Sequence, residues 1–178
     1  MKIICWDLEC SNLSADFGII LTCTTQEVGL TSEKNVLRID DYPSYVKRPW
    51  DDRGIVIDIK KILDGADIWV TYNGKWFDVP FLNARLLYHG IGRVIPVKHI
   101  DLYQIAKWKM KLSRKRAEAV AEFLGCRHQK SPMKGSEWTK ALTGVRSSMD
   151  YIVRHNQEDV AALVDLLDRM RGLIDYIK

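Results

Sequence analysis

The sequence predicts an α/β fold in which a mixed central sheet, an antiparallel meander joined to parallel strands, is flanked by helices. Three observations predict it. The first forty residues carry short β-branched runs separated by polar turns; the apolar period lengthens to helical spacing from Asp51; and helix and strand alternate after that. A length of 178 residues with 47% hydrophobic and 28% charged positions suits one domain with a full-sized core.

The elements follow in order. Strands are expected at Lys2–Trp6, Gly18–Thr25 and Asn35–Ile39. Ile55, Ile59, Ile62 and Leu63 recur at helical spacing, and the apolar run Ile68 to Tyr72 then reads as a strand closed by Asn73-Gly74. A helix starting near Asp78 carries Phe81, Leu82, Arg85 and Leu86, and a short strand is expected at Val94–His99. Helices fill most of the remainder, the last from about Ser148 to Met170, with Gly172 as its stop. No repeat, low-complexity tract or linker divides the chain, so residues 1–178 are expected to form a single domain.

The four cysteines form no C-x-x-C pair and sit among apolar neighbours, which argues against a disulfide framework or a zinc module. The chain reaches Asp7 before any apolar stretch long enough for a signal peptide or membrane span, so a cytoplasmic protein with no membrane partner is expected. The net charge of +4 is uneven: residues 107–134 carry nine bases against Glu118 and Glu122, which leaves the rest of the chain acidic. Such runs are usually solvated faces, but clustered Lys and Arg also make a phosphate track.

Several carboxylates stand out. Asp7 and Glu9 are two apart on a strand and so share one face, where two like charges repel unless solvated or bound to a cation. Asp78, before Val79-Pro80, has the composition of an ordinary N-cap. Asp159 lies in an apolar stripe with Ile152, Leu163 and Leu166, a costly place for an unpaired charge, and His155 stands one turn before it. Asp101 in Lys98-His99-Ile100-Asp101 reads equally as a helix cap.

Taken in order, Asp7-Leu8-Glu9, the segment Asn73-Gly74-Lys75-Trp76-Phe77-Asp78 with Arg85, and His155-Asn156-Gln157-Glu158-Asp159 resemble the motifs of the DEDD superfamily of 3′→5′ exonucleases on the ribonuclease H-like fold. The second segment is most similar to that of family B DNA polymerase proofreading domains and their stand-alone relatives. The resemblance covers roughly residues 3–170. It implies that Asp7, Glu9, Asp78 and Asp159 hold two Mg²⁺ or Mn²⁺ ions, with Asp7 shared by both. It also implies that His155, in the spacing where part of the family carries a tyrosine, is the general base. Tyr151 cannot take that place, being eight helical residues, about 12 Å of rise, from Asp159.

By the same resemblance Leu13 is a wedge against the terminal base, Asn73 contacts the substrate end, and Trp76 and Phe77 stack on bases, Phe77 reading equally as core. Asp101 supports the metal site from behind, and Lys115 and Arg116 lie on the phosphate track. Within and beside the basic segment, Trp108 and Trp138 read either as further stacking surface or as buried residues. The implied activity is release of nucleoside 5′-monophosphates from the 3′ end of single-stranded or frayed nucleic acid, DNA before RNA. A replication or repair polymerase is the implied protein partner. A ribonuclease H-like endonuclease and a non-catalytic nucleic-acid-binding module remain open at this point.

Overall fold

The computed structural model describes residues 1–29, 33–127 and 134–175. Five strands, β1 (Ile3–Cys10), β2 (Ile20–Glu27), β3 (Lys34–Arg38), β4 (Ile68–Thr71) and β5 (His99–Asp101), form one sheet in the order β3-β2-β1-β4-β5. The meander β1-β2-β3 is antiparallel, whereas β4 pairs parallel with β1 and β5 parallel with β4. This is the mixed sheet expected from the switch in period, and it places β1 at the centre.

The helices are α1 (Pro43–Lys47), α2 (Arg53–Asp64), α3 (Asp78–Tyr88), α4 (Leu102–Lys109), α5 (Ala117–Phe123), α6 (Gly135–Leu142) and α7 (Arg146–Met170). Alternation along β1 builds two cores. Ile4, Trp6, Leu8 and Cys10 pack with Ile55 and Ile59 of α2 and Phe81, Leu82 and Leu86 of α3. Ile3 and Cys5 pack on the other side with Leu102 of α4, Val120 of α5 and Val160, Leu163 and Leu166 of α7. Helix α7 has 25 residues, about 37 Å, and its first turns, Met149 and Ile152, join the first core while the remainder lines the second.

Three departures from expectation bear on the site and its surroundings. β1 runs on to Cys10, so Asp7 and Glu9 lie inside a paired strand, opposite Thr24 and Thr22 of β2. The strand expected at Val94–His99 forms instead at His99–Asp101. Pro96 has no N–H to give to a ladder, and Val94 is clipped to α3 by Asn83, whose Oδ1 accepts from the Val94 N–H at 2.7 Å. Helix α7 ends at Met170 as expected, but Gly172 is no left-handed cap; it lies in a one-turn 3₁₀ helix, Arg171–Leu173.

Candidate active site

The site grows from the centre of the sheet. Asp7 and Glu9 leave β1 on the face crossed by α7, as the two-residue period requires. Asn156 of α7 donates from Nδ2 to Asp7 Oδ2 at 2.8 Å and is itself fully buried. A buried amide hydrogen-bonded to a carboxylate fixes one oxygen of Asp7.

On the same helix, His155 is 1% exposed, one turn before Asp159. Its Nε2 stands 3.8 Å from Asp159 Oδ2 and 4.0 Å from Glu9 Oε1. Trp138 of α6 meets the imidazole edge-on, ring centres 6.2 Å apart, and covers it. Tyr151 packs on the same indole at 6.4 Å.

Asp78 is the first residue of α3. Its Oδ1 accepts from the Leu8 N–H of β1 at 3.0 Å, and the residue is 4% exposed. The reason is a shortage in the sheet. Pairing of β1 with β4 ends at Cys5 and Val70, so the Leu8 N–H beyond it has no strand partner on that side, and Asp78 supplies the acceptor. The carboxylates also act on the buried thiols beside them. Burial pushes Cys23 well above the ordinary thiol range, and Asp7 and Asp78 push it further. Burial does the same to Cys10, with Asp78, Glu9 and Asp7 adding to the effect.

Glu9, His155 and Asp159 each present a ligand atom, all within 4.8 Å of one another. The two carboxylates of this cluster offer oxygens to a divalent cation, with the imidazole nitrogen at the same spacing. Asp7 and Asp78 stand outside this cluster, held by Asn156 and by Leu8.

The segment 73–77 is held from below. Asn73 adopts φ +66°, and its N–H donates to Asp101 Oδ1 at 2.8 Å; the Lys75 N–H donates to Oδ2 at 3.0 Å. Asp101 also caps α4 through the Tyr103 N–H at 3.1 Å. One carboxylate therefore serves as cap and as anchor for the loop that leads to Asp78. A Cβ on Gly74 would come within 2.6 Å of Thr71, so the loop passes close over the end of β4. Thr71 Oγ1 in turn lies 2.8 Å from His99 Nε2. Burial, then Lys75, lowers the His99 pKa to about 4, so the ring is neutral and shares one hydrogen bond with the threonine hydroxyl.

The expected substrate contacts divide. Leu13, Asn73 and Trp76 are exposed. Phe77 is half-buried, 5.7 Å from Phe81 and packed on the first core. Trp138 is half-buried against His155, whereas Trp108 is exposed with the Lys107 ammonium over its ring. The Tyr72 hydroxyl donates to the Lys115 carbonyl at 2.6 Å and ties the basic segment to the end of β4. The Lys115 ammonium bends back to the Leu112 carbonyl at 2.8 Å, and Arg116 is exposed. Lys130 lies outside the described residues.

Sequence reasoning passed over Asn156. Its signal was present: Asn156 lies four residues after Ile152 and four before Val160, on a buried stripe where an amide requires a partner.

No helix among the described residues is long and apolar enough to cross a membrane. No curated protein matches the chain. Among solved structures it is similar to the family B DNA polymerase from the hyperthermophilic archaeon Pyrobaculum calidifontis, with a TM-score of 0.76 and 17% identity. That match covers 96% of this chain and 24% of the polymerase, so the likeness is one of fold, to a portion of a much longer protein. The family model described as RNase_H superfamily matches residues 4–171, nearly the whole chain, and the chain therefore belongs to the RNase_H superfamily.

Proposed function

We propose that residues 1–178 act as one metal-dependent 3′→5′ exonuclease domain. It would shorten single-stranded or frayed nucleic acid, DNA before RNA, and release nucleoside 5′-monophosphates. Membership in the RNase_H superfamily supports nuclease chemistry in general. The observation that carries the finer reading is the convergence of Glu9, His155 and Asp159 within 4.8 Å, beside Asp7 on the same strand and Asp78 bonded to that strand's backbone.

In this reading Asp7, Glu9, Asp78 and Asp159 hold two Mg²⁺ or Mn²⁺ ions. When bound, such a pair neutralises charge on the scissile phosphate and lowers the pKa of a water. His155, seated between Glu9 and Asp159, accepts the proton from the attacking water. Trp138 keeps the imidazole out of bulk solvent and fixes its plane. Asn156 fixes Asp7, and Asp101 anchors the loop at Asn73 and Lys75, from which Asn73 and Trp76 would meet the terminal nucleotide. Leu13 wedges against the last base. Arg116 and the neighbouring bases carry the phosphates of the incoming strand, and a replication or repair polymerase is the partner that would hand over a frayed end.

The test is incubation with a 5′-labelled single strand and a circular single strand in Mg²⁺ or Mn²⁺. A ladder shortening from the 3′ end with the circle intact supports the reading. Cut circles assign an endonuclease, and no product assigns a binding module.

A further inference from the structure

A second site stands apart from the carboxylates. A cleft of about 510 Å³ opens between Phe17, Trp50 and Tyr88, floored by Gly18, Ala84 and Arg85. Its three aromatic rings are 75%, 62% and 74% exposed, an unusual outlay of apolar surface around one opening. Phe17 and Tyr88 are tied to one buried ion pair, and Trp50 precedes it closely in the chain. Asp52 is wholly buried and accepts from Arg85 Nε at 2.9 Å and Nη2 at 2.8 Å, from the Ile20 N–H at 3.1 Å, and lies 2.6 Å from His89 Nε2. Arg85 Nη1 donates to the Ala15 carbonyl at 3.1 Å, so the loop carrying Phe17 is tied down at both ends, at Ala15 and at Ile20. The guanidinium lies 4.6 Å from the centre of the Tyr88 ring and covers one face of it. Trp50 stands two residues before Asp52.

The Phe17 and Tyr88 walls are therefore set before any ligand arrives. Aromatic rings with small residues between them suit a planar ring, and exposed Lys47 and Arg48, two and three residues before Trp50 in the chain, suit a linked phosphate, against Asp16 and Asp51, whereas Arg53 donates to the His89 carbonyl at 2.7 Å. The loop runs on directly from β1, so Phe17 lies within about 29 Å of Glu9 by chain reach alone. We propose that this cleft binds an unstacked base of single-stranded nucleic acid, held by Trp50 and Tyr88, a few nucleotides from the end being cut. The identity of the ligand rests on the nuclease reading; the preassembly of the cleft does not.

The experiment is binding without catalysis: a fluorescein-labelled oligothymidylate of about a dozen residues, titrated in EDTA and read by anisotropy and by quenching of tryptophan fluorescence. Trp50→Ala and Tyr88→Ala should each weaken binding about 5- to 150-fold, and Trp50→Phe should restore most of it. A strand bearing 5-iododeoxyuridine should photocrosslink to Phe17, Trp50 or Tyr88. Circular dichroism confirms that each variant is folded. If both alanine variants bind within about two-fold of the wild type, the inference is overturned. It is also overturned if sedimentation shows that Trp50 joins two copies of the chain. Binding that depends on Trp50 and Tyr88 in a protein that cuts no strand under Mg²⁺ or Mn²⁺ removes the nuclease reading and leaves the cleft. Cutting with unchanged binding does the reverse.

Discussion

Asn156 Nδ2 donates to Asp7 Oδ2 at 2.8 Å, joining two residues 149 apart in the chain through a partly buried contact between α7 and the central strand. Asn156→Ala removes that donor and lets the Asp7 carboxylate turn. We expect kcat to fall about ten-fold with a stability loss of about 1–2 kcal/mol, and Asn156→Asp, which sets a third acid against the strand pair, to cost more on both counts. Steady-state kinetics beside urea melts would check it; an Asn156→Ala enzyme with wild-type kcat would remove the positioning role.

Metal should stabilise the fold. At a concentration about a hundred-fold above Kd, Mn²⁺ or Mg²⁺ contributes about 2.7 kcal/mol, worth roughly 5–10 °C in Tm for a chain of this size. Glu9→Gln should lose most of that gain while melting at or above the wild-type temperature in EDTA, because it removes one of the repelling charges near Asp159. Scanning calorimetry with and without metal separates the two effects.

His155→Ala should lower kcat by about 10²–10⁴ with little change in KM, as expected for a general base. Because the ring is buried beneath Trp138, the same change leaves a cavity, so folding must be verified by near-UV circular dichroism. Equal rates for the variant and wild type across neutral pH would exclude the role.

The basic segment should divide by side chain. Arg116 is exposed and Lys115 is engaged with Leu112, so Arg116→Glu should raise KM and flatten its salt dependence more than Lys115→Glu does. Measuring KM over a range of ionic strength tests this; a change confined to kcat would speak against a phosphate contact.

His99 predicts a pH effect on stability. Its pKa is lowered to about 4 in the fold, so the unfolded chain, with an ordinary histidine, binds the proton more readily between about pH 6.5 and 4. Stability is therefore full above that window and falls as pH drops through it, by at most about 3 kcal/mol for this group. Denaturant melts of the wild type and His99→Gln from pH 7 to 4 should converge as the pH falls, the variant lacking this part of the slope.

Much of this was legible in the sequence because it is local. The period of two along β1 put Asp7 and Glu9 on one face, and the stripe through Ile152, Asp159, Leu163 and Leu166 marked a carboxylate inside an apolar helix face. Local spacing also placed His155 one turn from Asp159. Where local signals compete it misled: the β-branched stretch at Val94–His99 resembled a strand, but Pro96 and the Asn83 clip withhold its backbone from the sheet. The bond that Asp78 makes to β1 had no local signal. The carboxylate satisfies a donor on a strand 70 residues earlier, and that need exists only because β4 stops short beside β1.

The sequence by itself therefore determined the α/β class, the order of the elements and the faces on which the acids lie, since each follows from the geometry of a single helix or strand. Only the tertiary structure decided that Glu9 meets His155, that Asn156 takes Asp7, and that Asp52 and Arg85 tie Phe17 and Tyr88 to one cleft with Trp50. Those contacts depend on strand order and on which buried polar groups find partners, a condition satisfied by the whole packed chain at once.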